Sequence, residues 1–163
     1  MGCRLIDGRR LLRVCDVLKN LKTHFPDYDG KGYQIVGFGW HQGWNDRVNQ
    51  SFNDEYEKNM ANFIRDVRQD LKVRNLPFVI AETGMHGLKE KHPRALSLMR
   101  AQAAVAGYRE FKGNVGFVGT RAFHRTREVS PSGQSYHWNH NAETHLLIGD
   151  AMGRKMLQLL KRR

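Results

Sequence analysis

The sequence predicts an α/β domain built around three parallel strands. Three short apolar runs, at 33–39, 77–81 and 114–119, are separated by long segments whose apolar residues recur at helical spacing. Strands that alternate with helices in this way are typical of βαβ units, in which the strands run parallel with helices on both faces of the sheet. Doubly wound sheets usually have more than three strands. We therefore expect residues 1–163 to form a single domain that lacks an N-terminal portion.

The first elements follow from helical periodicity and from turn residues. Apolar side chains recur every three to four residues before Pro26, which predicts a helix that ends ahead of the proline. These side chains are Leu11, Val14, Cys15, Leu18 and Leu21. Phe25 to Gly32 is rich in Pro, Asp and Gly and is predicted to be a turn. The strand at 33–39 comes next and leads into a glycine-bearing loop.

The strongest helix signal lies in the middle of the chain. Tyr56, Met60, Phe63, Ile64, Val67 and Leu71 form one apolar stripe on an otherwise charged segment. This spacing predicts an amphipathic helix against the sheet, and Ser51 or Asn53 is expected to cap its start.

The C-terminal half repeats the alternation of strand and helix. Strand 77–81 is followed by a helix that opens at Pro93 and ends near Gly107. Its predicted inner face consists of Leu96, Met99, Ala103 and Ala106. Strand 114–119 leads into a polar loop at 120–140, and a last helix is predicted from about Ala142 to Leu160.

Bulk composition excludes several classes of protein. The chain is 40% hydrophobic and 26% charged, and no apolar run approaches the roughly 20 residues of a membrane span. Met1–Arg10 has no apolar stretch behind its arginines, so we expect no signal peptide, and the compartment is left open. Cys3 and Cys15 suggest no disulfide framework.

The balance of charge is strongly basic, with 27 Lys and Arg against 16 Asp and Glu and a net charge of +11. Such a charge favours encounter with anions, including nucleic acid or acidic polysaccharide. The arginines are scattered, however, and neither a zinc-finger spacing nor an RNP-type strand is present. Nucleic acid is therefore not the partner that we expect.

Three polar segments follow the predicted strands, where α/β domains place their sites. In Trp40–Asp46, the amides of Gln42 and Asn45 and the N–H of Gly43 are suitable donors for an oxyanion hole, although a capped turn with buried tryptophans is the alternative. Glu82 is either a site carboxylate or a turn carboxylate that caps a following helix.

The third segment, Ser135–Glu143, precedes the last helix. His137 is the candidate general base, and it is preferred over His140 because Tyr136 and Trp138 flank it. A His-x-x-His spacing without a further ligand is a weak metal signal, so no metal or other cofactor is expected. His145 is interpreted as a surface polar group.

These motifs resemble a known family. Trp40-His41-Gln42-Gly43, followed one residue later by Asn45-Asp46, is similar to the third conserved block of SGNH hydrolases, and more narrowly to the sialate O-acetylesterase type of carbohydrate esterase. The resemblance implies a three-layer, flavodoxin-like α/β/α fold and hydrolysis of acetyl esters on sugars without a cofactor. It also implies that Gln42, Gly43 and Asn45 stabilise an oxyanion and that His137 serves a serine nucleophile. The expected partner is an acetylated carbohydrate.

The chain departs from this family at three positions. Trp44 stands where the family usually has Glu, and Gln134 stands where it has the Asp that precedes the histidine by three residues, so the acid of the triad is unassigned and Glu82 is one possibility. No nucleophile loop precedes Gly43. The segment Ser132–Ser135 looks like that loop but lies too close to His137 to serve it.

Two functional expectations remain open. One is an acetylesterase domain that lacks its N-terminal third and is therefore catalytically impaired. The alternative is a non-catalytic remnant that binds sugar or a protein partner through the same cleft. In that case Trp40, Trp44 and Trp138 would stack on sugar rings.

Overall fold

The computed structural model describes residues 8–161, with side chains from residue 14 onward. Cys3, the side chain of Leu11 and the terminal pair Arg162 and Arg163 lie outside the described residues. No helix in this part of the chain is both long and apolar enough to cross a membrane.

Three parallel strands form the sheet. Strand β1 is Phe38–Trp40, β2 is Phe78–Ala81 and β3 is Val115–Val118. Their order is β1-β2-β3, with Phe38 opposite Phe78 and Phe78 opposite Val115. The predicted order and parallel direction of the strands are confirmed, and so are the positions of β2 and β3.

The first strand is shorter than predicted. Residues 33–37 form no regular element, and the side chains of Tyr33 and Val36 are exposed. Only 38–40 pair with β2, because no further strand in the described part offers residues 33–37 a hydrogen-bonding partner.

Residues 8–161 contain six helices: α1 Gly8–Lys19, α2 Leu21–His24, α3 Trp44–Val48, α4 Gln50–Asp70, α5 Pro93–Ala106 and α6 Ala142–Leu160. Short 3₁₀ turns fill the loops between β3 and α6. The first predicted helix is therefore two helices, and Val14 on its apolar stripe is exposed rather than packed.

The central strand β2 divides the helices into two layers. Phe78 and Ile80 belong to the core that is shared with α4 and α5, whereas Val79 packs in a second cluster with α6. Alternate side chains of a strand point to opposite faces. Helices α4 and α5 consequently cover one face and α6 covers the other, which confirms the three-layer α/β/α arrangement.

The predicted cap of α4 was wrong. The cap of α4 is Asn49, whose side chain accepts a hydrogen bond from the Phe52 N–H, and not Ser51 or Asn53. Asn53 is buried and donates to the Arg94 carbonyl at 2.8 Å, so it ties α4 to the start of α5 instead.

The inner face of α5 matches the prediction only in part. The buried side chains are Ala95, Leu98, Met99, Gln102 and Val105. Leu96 and Ala103 line a separate groove on the same side as Phe117. Met99 is buried as predicted and Ala106 packs against the core, so the predicted face is correct at these two positions and wrong at Leu96 and Ala103.

Candidate active site

The loop after β1 and the loop before α6 meet in one cleft of about 420 Å³. Its lining residues are His41, Gln42, Gly43, Trp44, Asn45, Met85, Tyr136, His137, Trp138 and His145. All four site residues indicated by the sequence, Gln42, Gly43, Asn45 and His137, are among them. The parallel sheet explains this convergence, because loops that leave the carboxyl ends of parallel strands share one edge.

Gly43 allows the first loop to turn tightly against the core. Its φ is +155°, and a Cβ at this position would collide with the side chains of Thr83 and Leu98. A residue with a side chain therefore does not fit without displacing the core. The loop then enters α3, which carries Trp44 and Asn45 on the cleft side.

The side chain of Gln42 is held from within the loop. Its Nε2 donates to Asp46 Oδ2 at 2.7 Å, and Asp46 is buried. Burial raises the pKa of the Asp46 carboxyl, and the hydrogen bond from Gln42 opposes that shift. Asn45 is exposed on the rim, where its amide is accessible to a ligand.

The loop that carries His137 has a strained backbone. Four consecutive residues, 137–140, have φ between +54° and +58°. This left-handed conformation costs an L-residue roughly 1–2 kcal/mol. Strain of this kind persists only where the surroundings fix it, and it clusters at functional sites.

Two buried side chains fix this loop. Trp138 is 1% exposed and packs with Ala81 and Ile148, between the sheet and α6. Asn139 is also buried and donates through Nδ2 to the Arg125 carbonyl at 2.9 Å. His137 lies between these anchors and the cleft, and it is exposed.

Two further histidines, which sequence reasoning did not select as site residues, line the cleft. His145 is exposed, as expected of a surface group, but it faces the cleft, and its Nε2 lies 3.4 Å from the His137 carbonyl oxygen. His41 is largely buried beside Trp138. Burial and the proximity of His145 lower the pKa of His41 to about 4. The position of His41 directly after a strand could have indicated it as a site residue. The sequence could not indicate His145, because the direction of its side chain depends on how α6 is oriented.

A family model for carbohydrate esterases, the sialic acid-specific acetylesterases, matches residues 16–158. The chain belongs to this family. The match confirms the resemblance that the Trp40–Asp46 and His137 segments indicated. No curated protein and no solved structure gives a significant match.

Glu82 does not face the cleft of this acetylesterase-family chain. Its Oε2 accepts hydrogen bonds from the backbone N–H groups of Thr120 and Arg121, at 2.9 and 3.4 Å, and its Oε1 pairs with Arg121 Nε at 3.2 Å. The carboxylate thus caps the 3₁₀ turn Arg121–Phe123. Glu82 thus has a structural role, although it caps a turn that is distant in sequence rather than a helix that directly follows it, and this role leaves Glu82 unsuited to orient His137.

Of the three tryptophans considered as sugar platforms, two are unsuitable. Trp40 packs against Phe63 in the core with ring centroids 4.8 Å apart, and Trp138 has almost no exposed surface. Trp44 remains at the cleft, between Arg47 at 5.0 Å and Tyr136 at 5.7 Å.

The lining of the cleft contributes no serine, threonine or cysteine from the described residues. Within the same part of the chain, no three His, Cys, Asp or Glu side chains are grouped as metal ligands would be. The groups available for chemistry therefore include imidazoles, amides, backbone N–H groups and the Tyr136 hydroxyl.

Proposed function

We propose that the cleft acts on acetyl esters of carbohydrates by serine–histidine chemistry. The observation that carries the proposal is that His137 and the Gln42–Asn45 segment line the same cleft. General base and oxyanion donors must both lie close to one reacting carbon, and their shared cleft supports such an arrangement. The strained backbone at 137–140 supports a functional role for the same loop.

In the proposed reaction, a serine Oγ attacks the acetyl carbonyl carbon while His137 accepts the hydroxyl proton. The carbonyl oxygen becomes an oxyanion that receives hydrogen bonds from the Gly43 N–H and the amides of Asn45 and Gln42. Collapse of the tetrahedral intermediate breaks the ester C–O bond, and His137 gives its proton to the departing sugar oxygen. Water then attacks the acetyl-serine by the same path, which releases acetate and restores the serine.

The serine is the part of this scheme that the described cleft does not contribute. We propose that it is supplied by polypeptide outside the 163 residues, as the missing nucleophile motif suggests. The 163-residue chain should then hydrolyse p-nitrophenyl acetate only weakly. Serine hydrolases without functional triad members retain roughly 10³–10⁴-fold acceleration over water.

The experiment compares this chain with a version extended at its N-terminus by a serine-bearing nucleophile loop of the family. Acetate release from an acetylated glycoside should appear only in the extended version. His137→Ala should remove most of that activity, and Asn45→Ala should lower kcat roughly 10²–10³-fold. His140→Ala, in the same loop but outside the cleft lining, is the matched control and should change kcat little.

A contrary result would be efficient turnover by the 163-residue chain that disappears on Ser132→Ala or Ser135→Ala. The nucleophile would then belong to residues 132–137.

The absence of a cleft serine among the described residues favours one second candidate, a non-catalytic sugar-binding domain. Trp44 and Tyr136 would then provide the aromatic contacts. Calorimetry of the 163-residue chain with acetylated and deacetylated glycosides separates the esterase from the sugar-binding domain. Tight binding by this chain, together with no turnover by the extended version, is expected only of the binding domain.

A further inference from the structure

Gln102 is a fully buried amide on the inner face of α5, where its neighbours are apolar. Its Nε2 lies within hydrogen-bond distance of the Gln42 carbonyl (2.9 Å), Thr83 Oγ1 (2.8 Å) and the Tyr56 hydroxyl (3.3 Å). Its Oε1 accepts a hydrogen bond from the Thr83 N–H at 2.9 Å. Burial of an amide is unfavourable unless it is paired, and here both ends are paired.

The group on which these bonds converge is the carbonyl of Gln42. It also accepts from Thr83 Oγ1 at 2.9 Å and from the Tyr56 hydroxyl at 3.3 Å. Three donors from α4, α5 and the loop after β2 therefore fix one carbonyl oxygen. A backbone oxygen held from three elements has little freedom to rotate.

The carbonyl of Gln42 and the N–H of Gly43 belong to one peptide unit. The described chain contains no cis peptide bond, so this unit is planar and its N–H points opposite to its C=O. The carbonyl points toward Gln102 in the core, and the Gly43 N–H consequently points away from it. Within residues 8–161 that N–H donates to no protein acceptor, and Gly43 lines the cleft.

We propose that Gln102, with Thr83, is a positioning residue for the Gly43 N–H as an oxyanion donor. The buried amide fixes the direction of the N–H before a ligand arrives, so no reorganisation is needed when charge develops. Hydrogen bonds to the carbonyl also polarise the same peptide unit and strengthen its N–H as a donor. The inference rests on the proposed function, which assigns Gly43 to the oxyanion hole.

The test uses the 163-residue chain and methylphosphonate, a tetrahedral anion that mimics the intermediate of acetyl transfer. Nitrogen–proton NMR spectra follow the Gly43 amide during titration. We expect a downfield proton shift at Gly43 that saturates, and Gln102→Met should weaken the affinity roughly tenfold, the effect of about one hydrogen bond. Gln158→Met, on the exposed side of α6, is the matched control and should bind as the natural chain does.

A second pair of variants covers the case in which Gln102→Met does not fold. Thr83→Val removes one hydroxyl donor to the Gln42 carbonyl at nearly constant volume, whereas Thr83→Ser keeps that donor. We expect weaker methylphosphonate binding for Thr83→Val and restored binding for Thr83→Ser. A Gly43 amide that does not respond, or equal affinity in Thr83→Val and the natural chain, would overturn the inference.

The extended version separates this inference from the proposed function. If it releases acetate, Gln102→Met should lower kcat and leave KM nearly unchanged, and an unchanged kcat would reject the positioning role alone. If it releases no acetate while methylphosphonate binding still depends on Gln102, the acetylesterase proposal fails and the positioning of Gly43 stands.

Discussion

Among single residues, His41 combines burial with a position at the cleft. Burial of the ring beside Trp138 disfavours its charged form, and the nearby His145 acts in the same direction, while a hydrogen bond between the ring and the Glu82 backbone opposes both effects. The neutral form is therefore the one that the fold accommodates. Its pKa falls from the usual 6.5 to about 4.

This depressed pKa predicts acid sensitivity between pH 6.5 and about 4. Above that window His41 is neutral in both states; within it the unfolded chain takes up a proton that the folded chain does not, so stability falls with falling pH. We expect a loss of about 2–3 kcal/mol. This loss is measured by urea unfolding of the natural chain and of His41→Gln at pH 7 and pH 4.5.

His41→Gln should flatten this part of the pH profile, whereas His92→Gln, at an exposed position, should leave it unchanged. An equally steep profile in His41→Gln would show that another group causes the acid sensitivity.

The sequence could indicate Gln42, Gly43, Asn45 and His137 because each belongs to a motif that follows or precedes a predictable element. It could not indicate Gln102. A glutamine in the middle of a helix predicts an exposed side chain, and only the structure shows that Gln102 faces the Gln42 carbonyl. The left-handed run at 137–140 was equally hidden, because none of its residues is glycine.

At the scale of elements, the N-terminal cap of helix α4 is Asn49, which lies four residues before the predicted candidate Asn53. Asn49 Oδ1 accepts from the Phe52 N–H and also from Ser51 Oγ at 2.7 Å. Asn and Ser both favour the cap position, so composition alone does not choose among three neighbouring candidates. The choice follows from packing, since Asn53 is already used between α4 and α5.

We expect Asn49→Ala to lower the free energy of unfolding by about 1 kcal/mol, because it leaves N–H groups in the first turn without a cap. Asn49→Asp should keep most of the stability, since a carboxylate also accepts this bond and suits the helix dipole. Thermal and urea unfolding measure both effects. Asn62→Ala, exposed within α4, is the control and should be neutral or slightly stabilising; a similar loss there would contradict the assignment of the cap.

The difference between local composition and packing also explains why β1 is shorter than predicted. Residues 33–37 have the apolar content of a strand, but strand structure requires a paired neighbour, and pairing is not encoded in local composition. Helical stripes predict better, because the long amphipathic pattern of α4 needs only one packing surface. Its residues Tyr56, Met60, Ile64 and Val67 are fully buried as predicted.

For the molecule as a whole, the sheet has two outer edges within the described residues, one formed by β1 and one by β3. Strand β1 pairs with β2 only, and Phe38 N–H donates to the Pro77 carbonyl at 2.8 Å. Successive residues of a parallel strand direct their backbone groups to alternate sides. The N–H of Gly39 therefore faces away from β2.

Hydrogen exchange should report the β1 edge directly. We expect the Gly39 amide to exchange roughly a hundredfold faster than that of Phe38, because only the latter is hydrogen-bonded in the sheet. Val79, in the central strand, should be protected at least as well as Phe38. Protection of Gly39 equal to that of Phe38 would show that the edge is covered in solution, and its dependence on protein concentration would show whether a second copy covers it.

The register of the sheet also governs how the chain reaches this structure. Phe38 pairs with Phe78 and Phe78 with Val115, so every strand pairing joins residues separated by nearly 40 positions. No hairpin can form early, and each pairing requires closure of a long loop before it gains any hydrogen bond. We therefore expect slow folding for a chain of this length. During synthesis, the partner of β1 among the described residues becomes available only when residue 81 has left the ribosome, and the loop that carries His137 emerges after all three strands.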